Sequence, residues 1–231
     1  MSSVTYPPSP RPLVLALGVY LCCSPFAGAA VITWGSATNI STGPGNSSDV
    51  VTTGTLVEAF NGVSSNQTPA SFDTTVNGVT FLGNNTLFSE TGSGTNNTSD
   101  LSAGTNAGDA TYDLLLSNVE FGGPASQTIS VGNGNLVIGN QYLIQVWFVD
   151  DRAAQDSRVM LFGDGNGSNV LLNDQYAVGT FTADATSQDL LTEAQGFGRA
   201  HLTAYQIRAI PEPSSLLMLS LAGVLFFRRR H

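Results

Sequence analysis

The chain has 231 residues, of which 42% are hydrophobic and only 11% charged, and its formal net charge is −9. It contains no lysine, and its two cysteines are adjacent at Cys22 and Cys23. An acidic chain this poor in cations argues against nucleic acid as a partner and against an anionic surface gripped through a basic patch.

The first element is an export signal over residues 1–30. Arg11 precedes the apolar run Leu13–Leu21, and Ser24-Pro25-Phe26-Ala27-Gly28-Ala29-Ala30 supplies the small residues that signal peptidase reads. Cleavage is expected after Ala29 or Ala30. The apolar run falls well short of the roughly 20 residues that a membrane span needs. Cys22 is a poor lipidation site, because Val19-Tyr20-Leu21 stand where small residues are wanted. Removing the signal removes both cysteines, so the body over residues 31–210 must fold without disulfides. Its length suits one domain with a sizeable core. Four arginines (Arg152, Arg158, Arg199 and Arg208) against sixteen acidic residues give the body a net charge of −12.

The body shows no extended helical periodicity. Strand-like runs recur between Gly/Asn/Ser/Asp clusters. Val31–Trp34 alternates, and Thr55–Phe60 follows. Thr75–Phe81 carries Asn77-Gly78 between β-branched residues, a strong hairpin signal. Tyr112–Leu116 and Gln127–Val131 come next. Gln141–Asp150 places Tyr142, Ile144, Val146 and Phe148 on one face and Leu143, Gln145, Trp147 and Val149 on the other, the pattern of a central strand. Arg158–Phe162, Val170–Leu172, Tyr176–Thr182 and Leu202–Ala209 complete the set. The pattern predicts an all-β fold: an antiparallel, jelly-roll-like β-sandwich. Asn39–Asp49 and Ser89–Asp109, rich in Gly, Ser, Thr and Asn, read as long surface loops or partly disordered segments. Seven Asn-x-Ser/Thr triplets reflect the same composition.

Candidate chemistry in the body is sparse. Asp150-Asp151-Arg152, with Asp156 and Arg158, is the densest charge cluster. With Asp164 it defines a speculative ligand loop, since carboxylates and arginine grip sugar hydroxyls and carboxylates hold calcium. The alternative is a turn whose Asp and Arg side chains pair with one another. Asp164-Gly165-Asn166-Gly167-Ser168-Asn169 alternates oxygen side chains as a calcium loop does. It departs from the EF-hand pattern at Asn169 and Gln175, so a hairpin turn fits as well. His201 is the one histidine of the body, and no Gly-x-Ser-x-Gly elbow accompanies it. Trp34 and Trp147 could stack on sugars or pack in the core. No catalytic set and no metal site is predicted. Calcium is the one weak cofactor candidate, and the expected role is non-enzymatic.

The last element, residues 211–231, has three parts. Pro211-Glu212-Pro213 is followed by the apolar stretch Leu216–Phe227 and then by Arg228, Arg229 and Arg230. As a helix the stretch would be about 18 Å long, short for a bilayer core of roughly 30 Å. The arginines should stay cytoplasmic, leaving the body outside. A marginal span with an arginine stop fits a processed signal; a permanent anchor is the alternative.

In order, spacing and position this tail resembles the PEP-CTERM sorting signal of bacterial envelope proteins. The resemblance implies recognition by a membrane-embedded, exosortase-type cysteine transpeptidase, with Pro211, Glu212 and Pro213 as the sorting motif. Four body segments, 142–152, 158–167, 176–184 and 201–208, also resemble a recurring ectodomain of such proteins, with a layout similar to galactose-binding-like or carbohydrate-module sandwiches. The implied role is a surface-sorted envelope or extracellular-matrix protein, tethered transiently or permanently through its C-terminal helix, with polysaccharide as a further partner. A carbohydrate-binding module is the runner-up, and a secreted hydrolase follows it.

Overall fold

A computed structural model describes residues 30–43, 45–63, 67–88, 109–122, 125–150, 158–164, 168–171, 174–196 and 198–211. The expected export signal up to residue 29 and the tail from residue 212 lie outside them. The first half of the described chain forms β1 (Thr33–Trp34), β2 (Thr38–Asn39), β3 (Thr55–Gly62), β4 (Thr74–Val76), β5 (Val79–Asn84) and the helix α1 (Ala110–Leu116). Then follow β6 (Glu120–Phe121), β7 (Ser126–Val131), β8 (Gln141–Phe148), β9 (Val159–Gly163) and β10 (Ser168–Leu171). The chain closes with β11 (Gln175–Thr182), β12 (Gln188–Gln195), β13 (His201–Leu202) and β14 (Ala204–Ala209).

The large sheet has the order β1-β11-β8-β14-β3-β5-β4, with β2 also pairing β11. A smaller sheet has the order β10-β9-β12-β7, and β13 pairs β6 separately. The fold is all-β, and the alternation along β8 explains how its layers form. Tyr142, Ile144, Val146 and Phe148 turn toward the small sheet. They meet Met160 and Phe162 of β9, Leu190 and Ala194 of β12, and Ile129 and Val131 of β7 in one buried cluster. Burying each large apolar side chain contributes about 1.5–3 kcal/mol, so this seam is the main adhesive between the sheets.

The opposite face of β8 is buried too, under a different cover. Trp147 and Val149 pack with Ile40, Val50, Phe81, Tyr112, Leu115 and Leu116 in a second cluster. The rings of Trp147 and Phe81 meet edge to face at 5.6 Å. Beside them the segment 49–54 docks through polar side chains. Gln145 donates to the Asp49 carbonyl at 2.6 Å and accepts from the Val51 amide at 3.0 Å. Gln206 donates to the Val51 carbonyl and to Gln145. Arg208 grips the carbonyls of Thr52, Thr53 and Gly54 at 2.8–2.9 Å. Burial pulls the Arg208 pKa below its ordinary value.

The structure corrects three sequence expectations. Tyr112–Leu116 belongs to a helix rather than a strand. Tyr112, Leu115 and Leu116 are buried at i, i+3 and i+4 spacing, and the Asp109 side chain caps the helix by accepting from the Thr111 amide at 3.0 Å. Asn39–Asp49 is not a loose surface loop. It ends in a 3-10 turn whose Asp49 is buried and bonded to Ser41 and Tyr112. The sheets are not wholly antiparallel either, because β3 and β5 run parallel. The connection between them passes through the 3-10 turn Pro69–Phe72 and the edge strand β4, so β5 returns in the direction of β3.

The hairpin expectation is met in detail. Val76 and Val79 are paired across Asn77-Gly78, whose φ angles are +48° and +76°. This is the two-residue loop with both central residues left-handed that Asn-Gly favours.

Candidate functional site

Two places carry the functional argument: the junction with the sorting tail and the buried charge cluster around Asp150. At the junction, β14 lies between β8 and β3, in the middle of the large sheet. Its ladder with β8 runs to Ala209 opposite Tyr142, and the Ile210 amide then donates to the Gln141 carbonyl at 2.9 Å. Pro211 follows at once and is exposed. Lacking an amide hydrogen, it cannot extend the ladder, so the body stops where the motif begins. Glu212, Pro213 and the arginines Arg228, Arg229 and Arg230 lie outside the described residues. So does Ala29 of the proposed cleavage site, whereas Ala30 is described and buried at the start of the body.

The second place is built by three strand ends. Asp150 follows β8, Arg158 precedes β9 and His201 opens β13, and all three are buried. Arg158 Nη1 donates to Asp150 Oδ2 at 3.0 Å. The same group lies within hydrogen-bond distance of the His201 ring. His201 Nδ1 sits 2.6 Å from the Arg199 carbonyl. One tautomer satisfies these contacts: Nδ1–H donates to the carbonyl and Nε2 accepts from Arg158. Phe121 stacks on the imidazole with centroids 5.0 Å apart and planes within 9°. The Arg199 guanidinium lies 6.0 Å over the same phenyl ring. An imidazole held this way serves as an acceptor for arginine.

The speculative ligand loop is not brought together. Asp151 and Arg152 lie outside the described residues. Asp164 follows the far end of β9 from Arg158 and accepts a hydrogen bond from the Ile32 amide. Gly163 pairs with Ser168 in the antiparallel ladder of β9 and β10. Trp34 and Trp147 fall on opposite faces of the large sheet. Trp147 is buried and donates its indole N–H to the Tyr112 hydroxyl at 3.1 Å, while Trp34 packs against the inter-sheet core. They do not form one stacking platform.

Sequence reasoning missed what most of the buried carboxylates do. Each holds backbone amides of another segment, from 8 residues away for Asp49 to 132 for Asp164. Asp49 takes the Ser41 amide and Asp164 the Ile32 amide. Glu120 takes the amides of Leu87 and Phe88 at 3.1 and 2.9 Å. Glu58 takes the Gly132 amide and the Tyr205 hydroxyl. Burial pushes the Glu58 pKa above its ordinary value, although both bonds favour the charged form. The Tyr112 and Tyr205 hydroxyls are pushed far up, first by burial and then by the neighbouring carboxylates Asp49 and Glu58 respectively. No local sequence pattern announces such pairs.

Against known families, the model of the PEP-CTERM protein-sorting motif matches residues 209–230. The class is therefore that of tail-sorted proteins, in which the motif implies exosortase-dependent sorting of an exported chain to the cell envelope. This chain carries the PEP-CTERM sorting motif at its tail, and the match begins on the last residue of β14. No curated protein and no solved structure matches the chain. Among the described residues no helix is long and apolar enough to cross a membrane, and the apolar stretch of the tail lies beyond them.

Proposed function

We propose that this protein is a non-enzymatic envelope or extracellular-matrix component. It is exported by its N-terminal signal, held by residues 216–227 in the membrane and processed at its tail onto the surface. The observation that carries this reading is the junction. The central strand of the sandwich runs into Pro211 without a linker, so the body is built as cargo directly on the sorting motif. The use of the buried ionisable side chains agrees with it. Asp49, the half-buried Glu58, Glu120 and Asp164 fasten backbone segments, and Asp150, Arg158 and His201 pair with one another, which is the pattern of a disulfide-free scaffold.

The strand order supports reading the sandwich as a jelly roll. With β3, β7, β8, β9, β10, β11, β12 and β14 taken as successive strands one to eight, the large sheet carries one-eight-three-six and the small sheet two-seven-four-five. That is the order of two interlocked Greek keys.

The test is the mature C-terminus in the native host. Mass spectrometry of surface-shaved protein should find molecules lacking Leu216–Phe227. Replacing Pro211, Glu212 and Pro213 by alanine should leave the tail intact and the protein in the membrane fraction. An intact tail on most mature wild-type molecules would overturn the processed-cargo reading.

A further inference from the structure

Among the described residues the exposed large apolar side chains are Val31, Leu56, Leu82, Val137 and Ile138. All but Leu82 lie at one end of the molecule, and it is the end where the sorting tail leaves. Ile210 is bonded to Gln141, the first residue of β8. Val137 and Ile138 sit in the turn just before that strand. Leu56 pairs around Arg208 on β3, and Val31 precedes β1, whose Thr33 pairs with Thr180. From β1 to β14 is three strand spacings, about 14 Å.

The most prominent of these side chains are held rigidly. The Asn140 amide donates to the Val137 carbonyl at 3.1 Å, closing a turn around Ile138 and Gly139, and Gly139 has φ +90°. Beneath it Leu136 is buried, its amide bonded to Thr186, and the Val137 amide donates to the Tyr142 hydroxyl. Val137 and Ile138 stand out from this base at 57% and 63% exposure. A sequence that buries Leu136 and exposes the next two apolar residues has aimed them outward.

The turn that carries Val137 and Ile138 is itself uncharged. No charged residue occurs between Glu120 and Asp150 in a body of net charge −12. Among the described residues, Asp184 is an acid at this end, lining one cavity with Val31 and Gln141, while Arg208 is sequestered by backbone carbonyls. Only Pro211–Ser215 separates the body from the apolar stretch of the tail. Five extended residues reach at most about 17 Å. With the tail in the bilayer, the tip is confined to the depth of the headgroup layer.

We infer that this apolar tip, led by Val137 and Ile138, inserts into the lipid interface of the membrane while the tail is in place. It thereby holds the sandwich upright with Pro211 at the membrane surface. The inference rests on the reading that residues 216–227 enter the bilayer. Shallow insertion of a few apolar side chains is how peripheral elements read an interface.

The full chain, carrying Cys22→Ser and Cys23→Ser, is reconstituted in phosphatidylethanolamine–phosphatidylglycerol vesicles with one environment-sensitive fluorophore on Ile138→Cys or on Leu82→Cys. Leu82 is an apolar control about 17 Å further along the sheet, five residues from the tip end of β3 in register. Doxyl-labelled lipids should quench the probe at 138 at least about threefold more strongly than at 82, as shallow insertion of about 5–10 Å requires. A probe at Leu56→Cys should lose its quenching in the Val137→Ser/Ile138→Ser variant, whose circular dichroism stays unchanged. Vesicle-bound chain with equal quenching at 138 and 82 overturns the inference and spares the tail reading. Chain that fails to float with vesicles overturns the tail reading and this one with it. A shielded 138 that cross-links to a second copy instead of being lipid-quenched makes the tip a self-interface and overturns lipid insertion.

Discussion

At the scale of single residues, the acids of this protein act as fasteners, and Glu58 shows how burial and bonding compete. Its carboxylate bridges the Gly132 amide and the Tyr205 hydroxyl, joining β3 to the turn after β7 and to β14. Burial outweighs those bonds and raises its pKa above 4.5. On acidification the folded chain therefore binds this proton before the unfolded chain does. The corresponding stability is fully present below the unfolded value near 4.5 and is lost as pH rises through the raised folded value. Glu58→Gln keeps a carbonyl acceptor for both donors. It should be at least as stable as wild type at pH 7, and its advantage should vanish near pH 4.5. Glu58→Ala loses both bonds and should cost about 1–3 kcal/mol. Urea denaturation across that pH range decides it; a Gln variant as weak as the Ala variant at pH 7 would sink the argument. The Asp150 cluster was half legible at this scale. The local pairing of Asp with Arg could be read from a dense charge run, but its burial and its third member could not, because His201 arrives from a remote strand.

At the scale of elements, two glycines separate conformational from steric demand. Gly78 adopts φ +76° with nothing within 4 Å of an added Cβ, so Gly78→Ala pays only the left-handed backbone penalty of about 1–2 kcal/mol. Gly83 on β5 has no such angle, but a Cβ there would sit 2.0 Å from the Pro69 carbonyl oxygen. Gly83→Ala must displace the 3-10 turn that lets β5 lie parallel to β3, and it should cost more than Gly78→Ala. Thermal midpoints of the two variants give the order, and the reverse order would refute it. The strands were legible where alternation or turn chemistry was strong, as in β8 and the Asn77-Gly78 hairpin. Strand β12 escaped because it buries Gln188 and Thr192 alongside Leu190 and Ala194, so its inward face reads as polar. Helix α1 escaped because seven residues give too few turns for the period to show against a short apolar run.

At the scale of the whole molecule, the body is a strongly acidic sandwich without disulfides, stabilised by its two apolar clusters and its buried fasteners. Self-repulsion at a net charge of −12 should be relieved by salt. Raising sodium chloride from 10 mM to 0.5 M should lift the thermal midpoint by about 2–4 °C, the shift that roughly 1 kcal/mol gives at this size. A flat or falling midpoint would mean that attractive pairs dominate the electrostatics. The position of β14 has a consequence in time. It is the last strand of the body to be synthesised and exported, yet it fills the middle of the large sheet, with β8 and β3 waiting on either side. The sheet cannot close until residue 209 is available, and the sorting motif follows that residue directly. Completion of the fold and appearance of the sorting motif are thus successive moments of chain synthesis, and a chain cut short before β14 lacks both the strand that finishes it and the signal that would sort it.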